Sequence, residues 1–358
     1  MPTERNEKLN DKWTVRGGRV VSLAPFTIAG IVNVTPDSFS DGGLYYDHEK
    51  ALARCLELLA QGARILDIGG ESTRPAPDSL PIGEAEEQRR ILPVLRQLAE
   101  LRAKLGGGQK GSTGCHEGMG IKHSGCADAA AFPCHANAAP HSAQAGGSGD
   151  SAAPFPYNAP YAEELQRVEP AQALLSVDTW RAGTAVAALE AGADIINDIA
   201  GTVFDPLMVE VLASYKPGYI LGHCPEPPAV MQNAPHYDDV VEELYAHFAT
   251  QAEMLVKRGL PENRIMLDPC FGFGKNLTHN LDLMRGLGRI LELGFPVCMA
   301  LSRKTLIGNL LGLPIGPCRD MPTQVFSALL LERGGLLHRV HDVDGCWKAL
   351  RLAVAVNL

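Results

Sequence analysis

Short apolar runs alternate with longer segments of helical periodicity along most of the chain. The apolar runs cover residues 27–34, 65–68, 173–177, 194–196, 218–221, 264–267, 296–300 and 336–340. Runs that are apolar throughout are typical of parallel strands buried on both faces. The clearest helical pattern covers residues 238–258, where Val241, Leu244, Tyr245, Phe248 and Ala252 share one face. The pattern therefore predicts repeated strand–helix units.

Eight such units with short connections predict a single (β/α)₈ barrel, the TIM-barrel fold. A doubly wound open sheet is the main alternative, but the Gly-x-Gly-x-x-Gly turn expected after its first strand is missing. Ahead of the first unit, residues 14–21 predict a small hairpin that turns at Gly17 and Gly18. Such a hairpin could cover the bottom of the barrel.

One segment interrupts this pattern. Residues 106–160 are rich in Gly, Ala, Ser, Pro, His and Cys and contain almost no branched aliphatic residues. A segment of this composition buries too little surface to offset its ordering entropy. We therefore predict one domain over residues 1–358, with a disordered or loosely ordered insert between the second helix and the third strand. Its cysteines and histidines lack the paired C-x-x-C spacing of a zinc site, so metal binding there is not favoured.

Charge and cysteine content narrow the class of protein. The formal net charge of the 358 residues is −9, and no long basic block is present, so neither nucleic acid nor an anionic membrane is expected as a partner. No apolar run reaches the length of about 18 residues that a membrane-spanning helix needs. Residues 1–13 are polar and contain no hydrophobic signal region, and nine cysteines indicate reduced thiols. These features predict a cytoplasmic protein.

Candidate chemistry collects where the predicted strands end. The residues that lie at or just past these ends are Asn33, Thr73, Asp178, Asn197, Asp268, Lys304, Arg339 and His341. Each alone has an ordinary explanation; Asp178, for example, could cap the following helix. In a parallel barrel, however, these ends meet on one face, where active sites are built. Asp268 is also followed by two phenylalanines in a glycine-rich loop, which suits a planar heterocycle with polar edges.

Six segments together resemble the dihydropteroate synthase family of the bacterial folate pathway. They are residues 31–43, 67–75, 176–179, 267–275, 302–304 and 339–343. The resemblance implies a TIM barrel that condenses 6-hydroxymethyl-7,8-dihydropterin pyrophosphate with p-aminobenzoate and releases pyrophosphate and 7,8-dihydropteroate. It also implies Mg²⁺ as cofactor, a homodimer and a target of sulfonamides. Cys270 stands where this family usually has glycine.

The resemblance assigns roles to individual residues. The pterin site would comprise Asp178, Asn197, Asp268 and Lys304, because carboxylate and amide oxygens accept hydrogen bonds from the donor edge of the ring. The pyrophosphate site would comprise Asn33, Thr73, Arg339 and His341, with Mg²⁺ bound at Asn33. The p-aminobenzoate site would comprise Arg74, Pro75, Phe273, Ser302 and Thr305. Catalysis would rest on Asp178, Lys304 and Asn33, with Asp178 stabilising a pterin cation electrostatically.

Two other functions are compatible with a pterin-binding barrel. A methyl-tetrahydrofolate-dependent methyltransferase would keep Asp178, Asn197 and Asp268 but would not need the Ser302–Lys304 segment or the 339–341 segment. A non-catalytic pterin-binding homologue would be expected to lose loop residues such as Asn33 or Thr73. Because this chain has all of these residues, the sequence favours the synthase.

Overall fold

The computed structural model describes residues 11–35, 44–71, 82–107 and 170–357. The predictions for Thr73, Arg74 and Pro75 lie outside the described residues. So does the predicted insert, except for residues 106 and 107, which end a helix. The prediction that one domain spans the whole chain, with a loosely ordered insert, therefore stays a prediction.

Strands and helices alternate within the described ranges. The strands are β1 Lys12–Thr14, β2 Val20–Ser22, β3 Thr27–Asn33, β4 Ile65–Gly69, β5 Leu174–Asp178, β6 Ile195–Asp198, β7 Gly218–Gly222, β8 Ile265–Asp268, β9 Cys298–Met299 and β10 Leu337–Val340. The helices are α1 Leu44–Gln61, α2 Glu84–Gly107, α3 Ala182–Glu190, α4 Met208–Tyr215, α5 Val240–Lys257, α6 Leu277–Arg285, α7 Leu287–Leu291, α8 Thr305–Leu311, α9 Asp320–Leu331 and α10 Val343–Asn357. None of the described helices is long and apolar enough to cross a membrane.

Strands β3 to β10 form one parallel sheet in the order β8-β7-β6-β5-β4-β3-β10-β9. A bridge between Leu267 and Val297 joins the two outer strands and brings the sheet to a nearly closed barrel. The predicted (β/α)₈ barrel is confirmed. The seventh barrel strand is shorter than the predicted run 296–300, although the carbonyl of Pro296 still accepts from Leu267 N at 2.9 Å.

The predicted N-terminal hairpin is confirmed as the pair β1–β2, in which Trp13 lies opposite Val21. Trp13, Val15, Val21 and Leu23 are fully or almost fully buried against the inward side chains of the barrel strands. The indole N–H of Trp13 donates to the carbonyl of Arg264 at 2.8 Å. The hairpin therefore seals the amino-terminal end of the barrel, away from the strand ends that carry the polar residues.

Alternation along each strand decides which side chains enter the barrel. On β4, Leu66 and Ile68 pack with the surrounding helices, whereas Ile65 packs with the hairpin inside the barrel. Asp67 therefore points inward, one layer above Ile65. Because this alternation holds on neighbouring strands, a polar layer lies above the apolar interior.

Candidate active site

A cavity of about 270 Å³ opens at the carboxyl ends of the barrel strands. Eight of the predicted site residues line it: Asn33, Asp178, Phe273, Ser302, Lys304, Thr305, Arg339 and His341. Asn197 and Asp268 are almost fully buried and do not line this cavity, although both belong to the strands beneath it. The structure thus brings together predicted residues from five separate segments of the chain.

Arg339 is the central cation of the site. Its Nε donates to Asp67 Oδ2 at 2.5 Å, and its Nη2 donates to Asp178 Oδ2 at 2.6 Å. Burial opposes the charge of the guanidinium, but the carboxylates of Asp67 and Asp178 outweigh this and raise the pKa of Arg339 above its usual range. Arg339 therefore remains a fixed positive charge between two carboxylates.

The pKa of the Asp178 carboxyl is raised into the neutral range. Burial raises the pKa of this carboxyl to about 7, while the positive charge of Arg339 acts against the rise and the negative charge of Asp67 adds to it. A carboxyl of ordinary pKa near 4 is ionised throughout the neutral range, but this one changes charge there. The ionisation of Asp178 is therefore sensitive to what binds next to it.

Asp268 and Lys304 form the second pair of charges. Asp268 Oδ1 accepts from the N–H of Cys270 at 2.7 Å. Burial raises the pKa of Asp268 and lowers the pKa of Lys304, and in both cases the neighbouring opposite charge opposes the shift. The ammonium of Lys304 lies 3.9 Å from the ring centroid of Phe273, a cation–π contact. This places the predicted pterin-binding lysine against the predicted p-aminobenzoate residue.

Ser302 and His341 are linked side by side on the cavity wall. The hydroxyl of Ser302 accepts from the backbone N–H of His341 at 3.1 Å and lies 2.9 Å from its Nδ1. When Nδ1 carries no proton, the hydroxyl hydrogen of Ser302 can donate to it. The two residues predicted for different substrates therefore share one hydrogen-bonded unit.

The loop after β8 is supported by a buried lysine. Lys275 Nζ lies 2.9 Å from the carbonyl of Phe273, 3.0 Å from that of His223 and 3.2 Å from His223 Nδ1. Burial lowers the pKa of Lys275 to about 8 and that of His223 to about 2. A neutral imidazole that faces a lysine and lies beside the loop carbonyls supports the loop, so His223 has a structural role. In the same loop, Cys270 has the left-handed φ of 49°.

Two groups stand out among the residues that the sequence did not indicate for the site. Asp67 was not proposed for the site, although a carboxylate inside an otherwise apolar strand was visible in the sequence. The second group is the pair Glu71 and Arg181, joined at 2.7 Å, with Arg181 Nη2 also donating to the carbonyl of Ile82 at 2.8 Å. No local pattern indicated this pair, because its members are 110 residues apart.

Comparison with known proteins agrees with this site. The profile of the family described as pterin binding enzyme matches residues 29–105 and 148–341. A dihydropteroate synthase of Streptococcus pyogenes is 32% identical over 327 residues, which cover 91% of this chain and 94% of the relative. The chain belongs to the dihydropteroate synthase family of pterin-binding enzymes. As a member it is a transferase, and the predicted family is confirmed.

Other dihydropteroate synthases extend the comparison. That of Bacillus subtilis is 31% identical, and the alignment covers 88% of this chain and 83% of the relative. The structure of the Xanthomonas albilineans dihydropteroate synthase with 4-aminobenzoic acid matches with a TM-score of 0.71 and 32% identity, covering 97% of this chain and 98% of that one. The same enzyme in complex with 7,8-dihydropteroate matches with a TM-score of 0.69 and 31% identity, covering 97% of this chain and 98% of that one.

Proposed function

We propose that this protein condenses 6-hydroxymethyl-7,8-dihydropterin pyrophosphate with p-aminobenzoate to give 7,8-dihydropteroate and pyrophosphate. The observation that carries the proposal is the pairing of Asp178 with Arg339 at the wall of the cavity, beside Lys304. A carboxylate suits a developing pterin cation, and the cations suit pyrophosphate and the acceptor edge of the ring. Membership of the dihydropteroate synthase family supports the same reaction.

The pterin would lie above the polar layer of the barrel. Asp268 and the Asn197 carbonyl would accept hydrogen bonds from the donor edge of the ring, and Lys304 would donate to its acceptor edge. Asp268 and Asn197 are buried, so a ligand that fails to match them would leave polar atoms unpaired, which costs about 1–3 kcal/mol each. That penalty gives the pocket its selectivity for a pterin.

The reaction requires the C–O bond between the pterin methylene and pyrophosphate to break first. The bonding electrons leave with pyrophosphate, whose charge Arg339, His341 and Asn33 would balance. Ionised Asp178 would stabilise the pterin cation until the amine nitrogen of p-aminobenzoate attacks the methylene carbon and then loses a proton. Thr73 is proposed to assist at the pyrophosphate.

The second substrate would bind at the outer part of the cavity. Phe273, Ser302 and Thr305 line the cavity and form the proposed p-aminobenzoate site, for which the sequence also proposes Arg74 and Pro75. The ring of Phe273 offers apolar surface to the benzoate, and the Ser302 hydroxyl offers a polar contact. Phe273 also holds Lys304 by the cation–π contact, so the two substrates would meet on either side of this lysine.

A Mg²⁺ ion is proposed to neutralise part of the pyrophosphate charge. The Asn33 amide oxygen at the cavity is a hard ligand that fits Mg²⁺. The described residues contain no group of three His, Cys, Asp or Glu side chains that could hold a metal. Mg²⁺ at phosphate sites has few protein ligands and keeps several waters besides the phosphate oxygens. The test is a titration of activity with Mg²⁺, in which Asn33→Ala should need more of the ion than the wild type.

We also propose a homodimer. Met321, Val325 and Leu329 recur every four residues on α9 and are each at least half exposed. Leu352 and Val356 on α10 are also exposed, and α10 packs against α9. Exposed aliphatic side chains on two helices that pack together are typical of an interaction surface. Sedimentation should give a dimer, and Val325→Glu should shift it towards monomer; a wild-type monomer at all concentrations would refute the proposal.

The cytoplasm is proposed as the compartment of the enzyme. Six cysteines among the described residues are free thiols, and Cys318 is exposed. Free exposed thiols persist where the environment is reducing.

The decisive experiment measures pyrophosphate release from the pterin pyrophosphate, with and without p-aminobenzoate and Mg²⁺. Release that depends on p-aminobenzoate, with formation of dihydropteroate, is the expected result. Asp268→Asn should lose pterin affinity by about 2 kcal/mol, because an amide N–H would then face the donors of the ring. Absence of release under every condition would rule out the synthase activity.

A further inference from the structure

The polar layer of the barrel contains a carboxylate that lies outside the cavity. Asp67 is 1% exposed and is not among the residues that line the cavity. It accepts three hydrogen bonds: from Ser176 Oγ at 2.5 Å, from Asn197 Nδ2 at 3.1 Å and from Arg339 Nε at 2.5 Å. These partners belong to three other strands, so one carboxylate joins β4, β5, β6 and β10.

The position of this layer argues against a purely structural role. The polar layer consists of Asp67, Ser176, Asn197 and Arg339, and each lies two residues beyond an apolar residue of the same strand. These apolar residues, Ile65, Leu174, Ile195 and Leu337, pack together inside the barrel. The interior therefore changes from wholly apolar to polar in one step. Buried ion pairs are often no more stabilising than well-packed apolar residues of similar volume. Stability alone would be served equally well by continuing the apolar packing.

The contacts of Asp67 determine what Asn197 presents to a ligand. An ionised carboxylate only accepts hydrogen bonds, so the nitrogen of the Asn197 amide must face Asp67. The amide oxygen then points away from Asp67. Without Asp67, the amide could turn over and present N–H groups to the donor edge of a pterin, which would be a mismatch.

The contacts of Asp67 also determine which edge of Arg339 is available. A guanidinium carries five N–H groups in a rigid plane. Asp67 engages Nε and Asp178 engages Nη2, which leaves the Nη1 end without either carboxylate. Asp67 and Asp178 therefore fix the orientation of the guanidinium, and Nη1 remains available to an anionic ligand in the cavity.

We propose that Asp67 is a positioning residue for the pterin pyrophosphate, acting through the Asn197 amide and the Arg339 guanidinium. This inference rests on the proposed function. It adds a residue that touches neither substrate but sets the hydrogen-bonding polarity of one side chain and the orientation of another.

The test compares Asp67→Asn, which keeps the shape but removes the charge, with Ser176→Ala as the matched control. Ser176 bonds to the same carboxylate but contacts neither Asn197 nor Arg339 in the described hydrogen bonds. Asp67→Asn should raise the KM for the pterin pyrophosphate about 10–100-fold, the effect of losing a charged hydrogen bond. The KM for p-aminobenzoate should change less than about threefold, because Asp67 has no described hydrogen bond to Phe273, Ser302 or Thr305. Ser176→Ala should leave both KM values within about twofold.

Double-mutant cycles show whether Asp67 acts through Arg339 and Asn197. In an Arg339→Lys or an Asn197→Ala background, Asp67→Asn should have a smaller effect on the KM for the pterin pyrophosphate than in the wild type. Full additivity in both backgrounds would overturn the proposal. So would an Asp67→Asn enzyme with a lowered Tm but unchanged KM values, since that is the result expected of a purely structural residue.

Two further measurements keep the outcome decisive. If Asp67→Asn does not fold, Asp67→Glu keeps the charge but moves the carboxylate by one methylene, and the same selective rise in KM is expected. Wild-type pyrophosphate release is measured in the same series. An inactive wild type would count against the proposed function, whereas an active wild type with an unaffected Asp67 variant would count only against the role of Asp67.

Discussion

Removal of Arg339 tests the electrostatics of the site independently of its substrates. Arg339 pairs with Asp67 and Asp178, and the side chains of these three residues are 16%, 2% and 13% exposed. Loss of one partner from a buried ion pair costs about 3–5 kcal/mol, because the remaining charge stays buried without compensation. Arg339→Ala should therefore reduce the free energy of unfolding by about 3 kcal/mol or more at about pH 8. A domain with ordinary stability of about 5–15 kcal/mol would still fold.

The loss should depend on pH with a definite sign. Burial already raises the pKa of Asp178, and Arg339 is the main influence that opposes this rise, so the variant should have a still higher pKa there. A carboxyl whose pKa is raised on folding holds its proton in the native state over a range where the unfolded chain has lost it. Stability then falls as pH rises from the unfolded pKa towards the native one. The destabilisation by Arg339→Ala should therefore be smaller at about pH 5.5 than at about pH 8.

Urea denaturation followed by tryptophan fluorescence at the two pH values measures this difference. The matched control is Arg289→Ala, which removes a guanidinium that binds both oxygens of Glu242 at the surface. Exposed ion pairs of this kind contribute about 0–1 kcal/mol, so the control should lose little stability at either pH. If Arg339→Ala lost less than about 1 kcal/mol, or the same amount at both pH values, the inferred charge pairing would be refuted.

Three further outcomes are expected from single positions. The kcat/KM for the pterin pyrophosphate should fall with acidification through about pH 7, where Asp178 takes up a proton, and this acid limb should be absent in Asp178→Asn; a limb confined to about pH 4 would contradict the raised pKa. Cys270→Gly should be better tolerated in urea denaturation than Cys55→Gly by about 2 kcal/mol, because glycine relieves the left-handed φ at position 270 but weakens helix α1 at position 55. Trp13→Ala should cost about 3–5 kcal/mol in the same assay yet leave both KM values unchanged, because the hairpin fills the far end of the barrel; altered KM values would show that the two ends are coupled.

Local regularities of the sequence were sufficient for the architecture. Apolar strands, helical periodicity and the polar residues at strand ends depend on neighbours within a few residues. The barrel and five of the cavity-lining residues, Asn33, Asp178, Lys304, Arg339 and His341, could therefore be predicted from them, and the family resemblance added Phe273, Ser302 and Thr305. The family motifs supplied the roles of these residues. The predicted run 296–300 exceeds β9, Cys298–Met299, because apolar composition marks a buried segment but not which of its residues pair with the neighbouring strands.

The hydrogen bonds within the polar layer form only when the strands of the barrel pair with one another. Asp67 and Arg339 are 272 residues apart, and only the pairing of β3 with β4 and β10 brings these two strands within reach of one hydrogen bond. Which edge of a guanidinium is engaged, which way an amide faces and how far burial shifts a pKa depend on groups from several strands at once. The residue types at the strand ends were therefore determined by the sequence alone, whereas their orientation and charge were decided by the tertiary structure that surrounds them.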